Sequence, residues 1–214
     1  MGGRGSGSGV GRYGGGGGIN PGDIVSTRDM GTEREDLTLR KYVDEVYSVS
    51  LDVNEEYGDI PWDFKLATLK GKGKSALAYY DGSNIAINED YFSKNMTKAY
   101  ADAEKSGFHP SSGKKTAMQA VAAHEFGHGL TDLAARNMGS GYTLDSAARR
   151  IVNEARPSTG HRGVVQMANA ISRYASASNA EAIAEAYSDV YCNGKRAKSE
   201  SKAIIKVLNS YLKK

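Results

Sequence analysis

His124, Glu125 and His128, in the stretch Ala122-Ala123-His124-Glu125-Phe126-Gly127-His128-Gly129-Leu130, have the residue types and spacing that suit metal chemistry. On an α-helix, side chains four residues apart lie on one face, so the two imidazoles can offer nitrogens to a single ion. Glu125 sits about a quarter-turn round the helix, where its carboxylate reaches a water on that ion. H-E-x-x-H therefore supplies two of the three protein ligands of a catalytic zinc and a general base beside the open position. An ordinary pair of helical histidines is the alternative, and the flanking sequence argues against it. Met118, Ala122, Phe126, Leu130 and Leu133 recur every three or four residues and predict an apolar stripe on a helix from about Thr116 to Ala135, with both histidines nearly opposite. Ala120, Ala123, Gly127 and Gly129 let neighbouring elements approach closely, at some cost in helix propensity.

A third ligand has to come from another element. Asn179 to Val190 reads as a helix, with Asn179 as its N-cap and Asn193-Gly194 as its stop. Glu181, Glu185 and Asp189 stand at i, i+4 and i+8, which predicts three acidic groups along one face with no basic residue between them. Such repulsion costs an isolated helix stability, and a cation with two opposed histidines would reverse its sign. Ala182, Ile183, Ala186, Tyr187 and Val190 already provide a buried side, so a solvated acidic face is the competing expectation.

The elements that must hold these residues are legible in outline. Residues 1–22 contain twelve glycines and few sizeable apolar groups, which predicts a flexible tail ahead of a single domain over 23–214. A helical pattern runs from about Glu33 to Glu56, with Leu37, Tyr42, Val43, Val46, Tyr47 and Val49 available for burial, and ends at Gly58 and Pro61. Trp62, Phe64, Leu66 and Leu69 then alternate. Ala76 to Tyr80 and Asn84 to Asn88, joined by Asp81-Gly82-Ser83, predict a hairpin. A strand beside a metal helix can hold an extended peptide by β-augmentation; equally, it can do no more than build the core. Asn88 or Asp90 is the expected cap of a helix to Lys105, with Tyr91, Phe92, Met96 and Tyr100 inward. Further helices are expected from Leu144 to Ala155, from Val164 to about Tyr174, and over the C-terminal run of Ile204, Ile205, Val207, Leu208, Tyr211 and Leu212, with His161 in a loop between glycines. The class expected is α+β: a mostly helical domain with a small sheet or hairpin beside the histidine-bearing helix.

Composition narrows the function. Among 214 residues, 39% are hydrophobic and 25% charged, ordinary values for a globular domain of this size. The net charge of +3 comes from scattered residues rather than a block, so no nucleic-acid partner is expected. Cys192 is the only cysteine; it excludes an intramolecular disulfide and reads as an inert thiol in a helix. No apolar run approaches a membrane span and no signal-peptide core is visible, which leaves a cytoplasmic or virion-associated location as the expectation.

His124-Glu125-Phe126-Gly127-His128 with a downstream glutamate helix resembles the zincins of the gluzincin kind, metallopeptidases whose third zinc ligand is a glutamate. The closer resemblance, over about residues 76–192, is to catalytic domains of the anthrax lethal factor type: Tyr174 stands seven residues ahead of Glu181-Ala182-Ile183-Ala184-Glu185-Ala186-Tyr187. That resemblance implies Glu181 as zinc ligand, Glu185 as acceptor of a histidine N–H, and Tyr174 with its hydroxyl toward the reacting carbonyl. A thermolysin-like E-x-x-x-D also fits, with Glu185 as ligand and Asp189 as the acceptor, but the tyrosine and the A-E-A context match only the first alignment. Metzincins would need glycine and histidine where Thr131 and Ala134 stand. The M-G-G-R-G-S start and Ser172-Arg173-Tyr174-Ala175 are similar to segments of metallopeptidase-like domains in bacteriophage head and minor structural proteins.

The function these resemblances imply is a zinc-dependent endopeptidase acting on a peptide or protein. His124, His128 and Glu181 would hold zinc, which lowers the pKa of water from 15.7 to about 7. Glu125 would serve as general base and Tyr174 as oxyanion donor, with loop residue His161 a weaker candidate for the latter. Two alternatives follow: a phage virion or assembly protein that keeps the zinc fold with little peptidase activity and phage structural proteins as partners, or a toxin-like effector protease.

Overall fold

A computed structural model describes residues 19–92 and 94–212. The alternating residues after Trp62 form β2 (Asp63–Leu69), an inner strand of a four-stranded sheet ordered β1-β2-β4-β3. β1 (Ile24–Asp29) pairs with it antiparallel, and β4 (Asn84–Asn88) pairs with it parallel. β3 (Ala78–Tyr80) is antiparallel to β4 and forms the other edge. Two parallel neighbours need a crossover. Here the chain passes β4's place, builds the outer strand β3 first, and turns back at Asp81-Gly82-Ser83 into the gap. Gly82 takes φ +100°, and Asp81 Oδ1 accepts from the amides of Ser83 at 2.9 Å and Asn84 at 2.7 Å. The hairpin is thus formed as the D-G signal predicts. β1 carries no such signal: five of its six residues are solvent-exposed, so no alternation marks it.

Side-chain alternation gives the sheet two faces. Phe64, Leu66, Ala78, Tyr80, Ile85 and Ile87 look into the main core under the helices. Ala67, Leu69, Tyr79 and Ala86 look the other way, where buried Ile19 and half-buried Ile24 cover them. Residues 19–22 therefore belong to the domain, which corrects the expected tail boundary. Pro21–Asp23 forms a 3-10 turn whose Asp23 carbonyl accepts from the Lys70 amide at 2.9 Å. The glycine-rich residues 1–18 of that expected tail lie outside the described residues.

Seven α-helices are described: α1 (Arg40–Tyr57), α2 (Lys94–Lys105), α3 (Ala117–Met138), α4 (Leu144–Ala155), α5 (Val164–Ile171), α6 (Asn179–Asn193) and α7 (Ser199–Leu212). α1 starts later than its pattern suggests, because Met30–Glu35 winds as a 3-10 turn and Leu37 is left 80% exposed. α3 is capped by Thr116, whose Oγ1 accepts from the Gln119 amide at 3.2 Å while its own amide donates to Gln119 Oε1 at 3.0 Å. Residues 120–131 are buried all round, so α3 is a central helix rather than one with a single apolar stripe, and Leu133 is only half-buried. Its small residues are where neighbours press in. A Cβ on Gly127 would come 2.7 Å from Ala184 Cα on α6, and one on Gly129 would come 2.7 Å from the Trp62 ring. α6 is capped by Ser178, not Asn179: Ser178 Oγ accepts from the Glu181 amide at 3.1 Å. Among the described residues, no helix is long and apolar enough to cross a membrane.

Candidate metal centre

The close contact at Gly127 brings α3 and α6 near enough for their polar side chains to meet inside the protein. Glu181, in the first turn of α6, places Oε2 3.1 Å from His124 Nε2 and 3.5 Å from His128 Nε2. One ligand atom from each of the three residues lies within 4.8 Å of the other two, and all three side chains are buried. Zinc ligands at about 2.0–2.1 Å in a tetrahedron are separated from one another by about 3.3 Å. These residues therefore fit a zinc ion in donor type and spacing.

One turn along α6, Glu185 addresses the opposite nitrogen of the same ring, with Oε1 2.8 Å from His124 Nδ1. Glu181 and Glu185 thus grip His124 from its two ends, Glu181 on the Nε2 side shared with His128 and Glu185 on the far side. Glu185 Oε1 also lies 3.0 Å from His109 Nδ1, and its Oε2 accepts from Ser172 Oγ at 2.7 Å. Tyr174 begins a 3-10 turn after α5, and its ring stacks on that of His124 at 5.9 Å between centroids, with Phe108 on another side at 5.0 Å. That turn is tied to the loop after α2: the Arg173 and Tyr174 amides donate to the carbonyls of Gly107 and Phe108, each at 3.1 Å.

At Glu181, Glu185, His124 and Glu125, burial and neighbouring charge oppose each other. Burial alone would raise the Glu181 carboxyl, but His128 and His124 outweigh it and bring its pKa down to about 2. Glu185 likewise falls to about 2 against its burial, held by His109 and His124. For His124, burial works to remove the charge and loses to the two glutamates, which raise the pKa to about 10. Glu125 goes the other way. Burial is its largest influence and lifts its carboxyl to about 7, despite the two histidines beside it. Neither Glu125 oxygen has a hydrogen-bond partner among the described residues, and neither does His128 Nδ1. An unpartnered buried polar group costs about 1–3 kcal/mol, and such groups concentrate where chemistry is done.

His124, Glu125, His128, Glu181, Glu185 and Tyr174 are thereby brought together. Two other candidates are not. Asp189 is buried, but its carboxylate accepts from Asn193 Nδ2 at 2.9 Å, the Lys198 amide at 2.9 Å and Ser201 Oγ at 2.6 Å, and none of these partners is a histidine. At about 100° per residue, eight residues overshoot two full turns by about 80°, so Asp189 has rotated away from the histidines toward the start of α7. Its proposed role as an acceptor for a histidine is corrected to an anchor for α7. His161 is also elsewhere, with Nε2 2.9 Å from Glu200 Oε1 on α7.

His109 and Ser172 were not singled out as site residues by the sequence. Each sits in a non-periodic connection, and His109 finds its partner Glu185 at a separation of 76 residues, so no local pattern marks either. Cys192 is buried and its thiol is pushed up to about 12, chiefly by burial, which fits an inert side chain. Comparison with known proteins gives no match to a family model, to a curated protein or to a solved structure.

Proposed function

We propose that this chain is a zinc-dependent endopeptidase of the gluzincin kind, with His124, His128 and Glu181 as the metal ligands. The observation that carries the reading is the convergence of three buried ligand atoms from two helices beside a buried carboxylate, Glu125, that has no partner of its own among the described residues. When bound there, zinc supplies the positive charge that lowers the pKa of a water to about 7 and polarises a carbonyl.

The chain's own groups do the rest. Glu125, buried beside the two histidines with neither oxygen partnered among the described residues, takes a proton from the attacking water as the new C–O bond forms, and delivers it to the amine as the C–N bond breaks. Tyr174, stacked over His124, donates its hydroxyl to the oxyanion; comparable donors are worth about 3 kcal/mol. Glu185 holds His124 from behind. β3 is an edge strand packed against α3, but its three residues are buried, so its outer side offers no exposed backbone for an extended peptide to pair with.

Glu125→Gln tests the assignment. It is expected to keep about one zinc per chain while cleavage of a peptide library falls at least ~100-fold, in the range removal of a general base produces. Cleavage at the wild-type rate would remove the assigned base. The phage-type resemblance supports a second reading, a structural zinc protein, and one observation favours it: His124 and Glu125 are 0% exposed, His128 1% and Glu181 9%. A closed centre suits a structural ion. Against it, structural zinc is held by four protein ligands, and three are gathered here among the described residues. Zinc retention by wild type with no turnover of any library peptide would select this second reading.

A further inference from the structure

Glu185 is clamped at both of its oxygens. His109 Nδ1 and His124 Nδ1 meet on Oε1 at 3.0 and 2.8 Å, and Ser172 Oγ donates to Oε2 at 2.7 Å, with all four residues buried. The clamp comes from two separate connections, His109 from the one between α2 and α3 and Ser172 from the one after α5. His109 is itself fixed, its ring stacked on Tyr100 at 5.4 Å with 7° between planes and edge-on to Tyr174 at 5.4 Å. A carboxylate oxygen has two lone-pair sites, so Oε1 can take an N–H from each ring. A neutral imidazole that donates from Nδ1 keeps its lone pair on Nε2, and for His124 that is the nitrogen facing Glu181 and His128.

We propose that His109 is a positioning residue of the metal centre: through Glu185 it holds His124 in the Nδ1–H tautomer and aims His124 Nε2 at the ion. This rests on the zinc reading above. Groups that orient a ligand from behind typically change metal affinity about 10–100-fold when removed.

Two substitutions separate positioning from packing. His109→Phe keeps a ring against Tyr100 and removes the donor, whereas His109→Asn keeps a donor near the Nδ1 position and removes the ring. Zinc(II) affinity, measured by competition with a chromophoric chelator, is expected to fall about 10–100-fold in His109→Phe and to recover to within about threefold of wild type in His109→Asn. The visible bands of the cobalt(II)-loaded proteins should follow the same order, with the Phe variant displaced and the Asn variant matching wild type. A purely structural histidine predicts the reverse, and wild-type affinity in His109→Phe would overturn the proposal. If neither variant folds, Ser172→Ala decides it by freeing the other oxygen. Zinc affinity more than threefold weaker there supports the clamp, and unchanged affinity overturns it. Wild type that takes up no zinc would overturn both this inference and the zinc reading, whereas normal uptake by wild type and His109→Phe alike would overturn this one alone.

Discussion

Three acidic side chains set four residues apart on α6 serve three purposes, and helical geometry assigns them. Each step of four overshoots a turn by about 40°, so the row Glu181, Glu185, Asp189 winds from the Nε2 side of His124, to its Nδ1 side, to the start of α7. Asp189→Ala would leave the buried Ser201 hydroxyl and the Lys198 amide without their acceptor. It is expected to lower stability by about 2–4 kcal/mol while zinc per chain stays at the wild-type value. Urea unfolding and elemental analysis on the same preparation check both halves; loss of zinc would return Asp189 to the centre. At this scale the sequence told much about which residues converge, because H-E-x-x-H and the acid row are local patterns. His109 and Ser172 are single polar residues in loops, and their meaning exists only once α6 lies across α3.

Between elements, the decisive contact is Gly127 of α3 against Ala184 of α6. Replacing a mid-helix glycine by alanine gains about 1 kcal/mol in propensity, but here the new methyl would sit 2.7 Å from a backbone carbon that has no side-chain freedom to yield. Overpacking of this kind costs about 1–3 kcal/mol, so it outweighs the gain. Gly127→Ala should lower the thermal midpoint and also weaken zinc binding, since it parts the two helices that carry the ligands. A midpoint above wild type with zinc affinity intact would show that the helices can part without cost. Small residues around the motif hinted at such a contact, whereas its partner could not be read from the chain.

The loop at His161 illustrates the same limit. His161 reads from the sequence only as a weaker candidate for the oxyanion donor, and in the fold it clasps Glu200. Burial is the largest single influence on the Glu200 carboxyl and works to raise it, but His161, the backbone amide and Ser199 together outweigh it and leave it below its ordinary value of 4.5. A carboxylate depressed in the folded state contributes stability above its unfolded pKa and loses it as pH falls through the folded one. His161→Ala should therefore melt about 2–4 °C lower at pH 7, with a deficit that narrows below pH 4.5. A deficit independent of pH would dissociate the clasp from that carboxylate.

For the molecule as a whole, the class expected from the sequence, helices with a small sheet, is what forms. The hairpin, α4 and the extent of α6 were readable because each is bounded by a turn or cap signal. β1 was not, because an exposed edge strand lacks the alternation that reveals its neighbours, and its place is fixed only by pairing with β2, forty residues later in register. If the closed centre binds zinc only when folded, as proposed, zinc must also stabilise the fold. At free zinc about 1,000 times its dissociation constant the gain is about 4 kcal/mol, or about 8–16 °C in a chain of this size. Scanning calorimetry with zinc and then with a chelator reads this directly, and a midpoint that neither reagent moves would count against a metal in the folded protein.

Ile19 and Ile24 lie on the back of the sheet, over Leu69, Tyr79 and Ala86, while the layer that bears His124 and His128 packs on its front. The junction with the glycine-rich segment is consequently at the rear of the domain. Ile19 and Ile24 thus anchor the first described residues on the face of the sheet turned away from His124 and His128, so the chain enters the domain apart from the candidate centre.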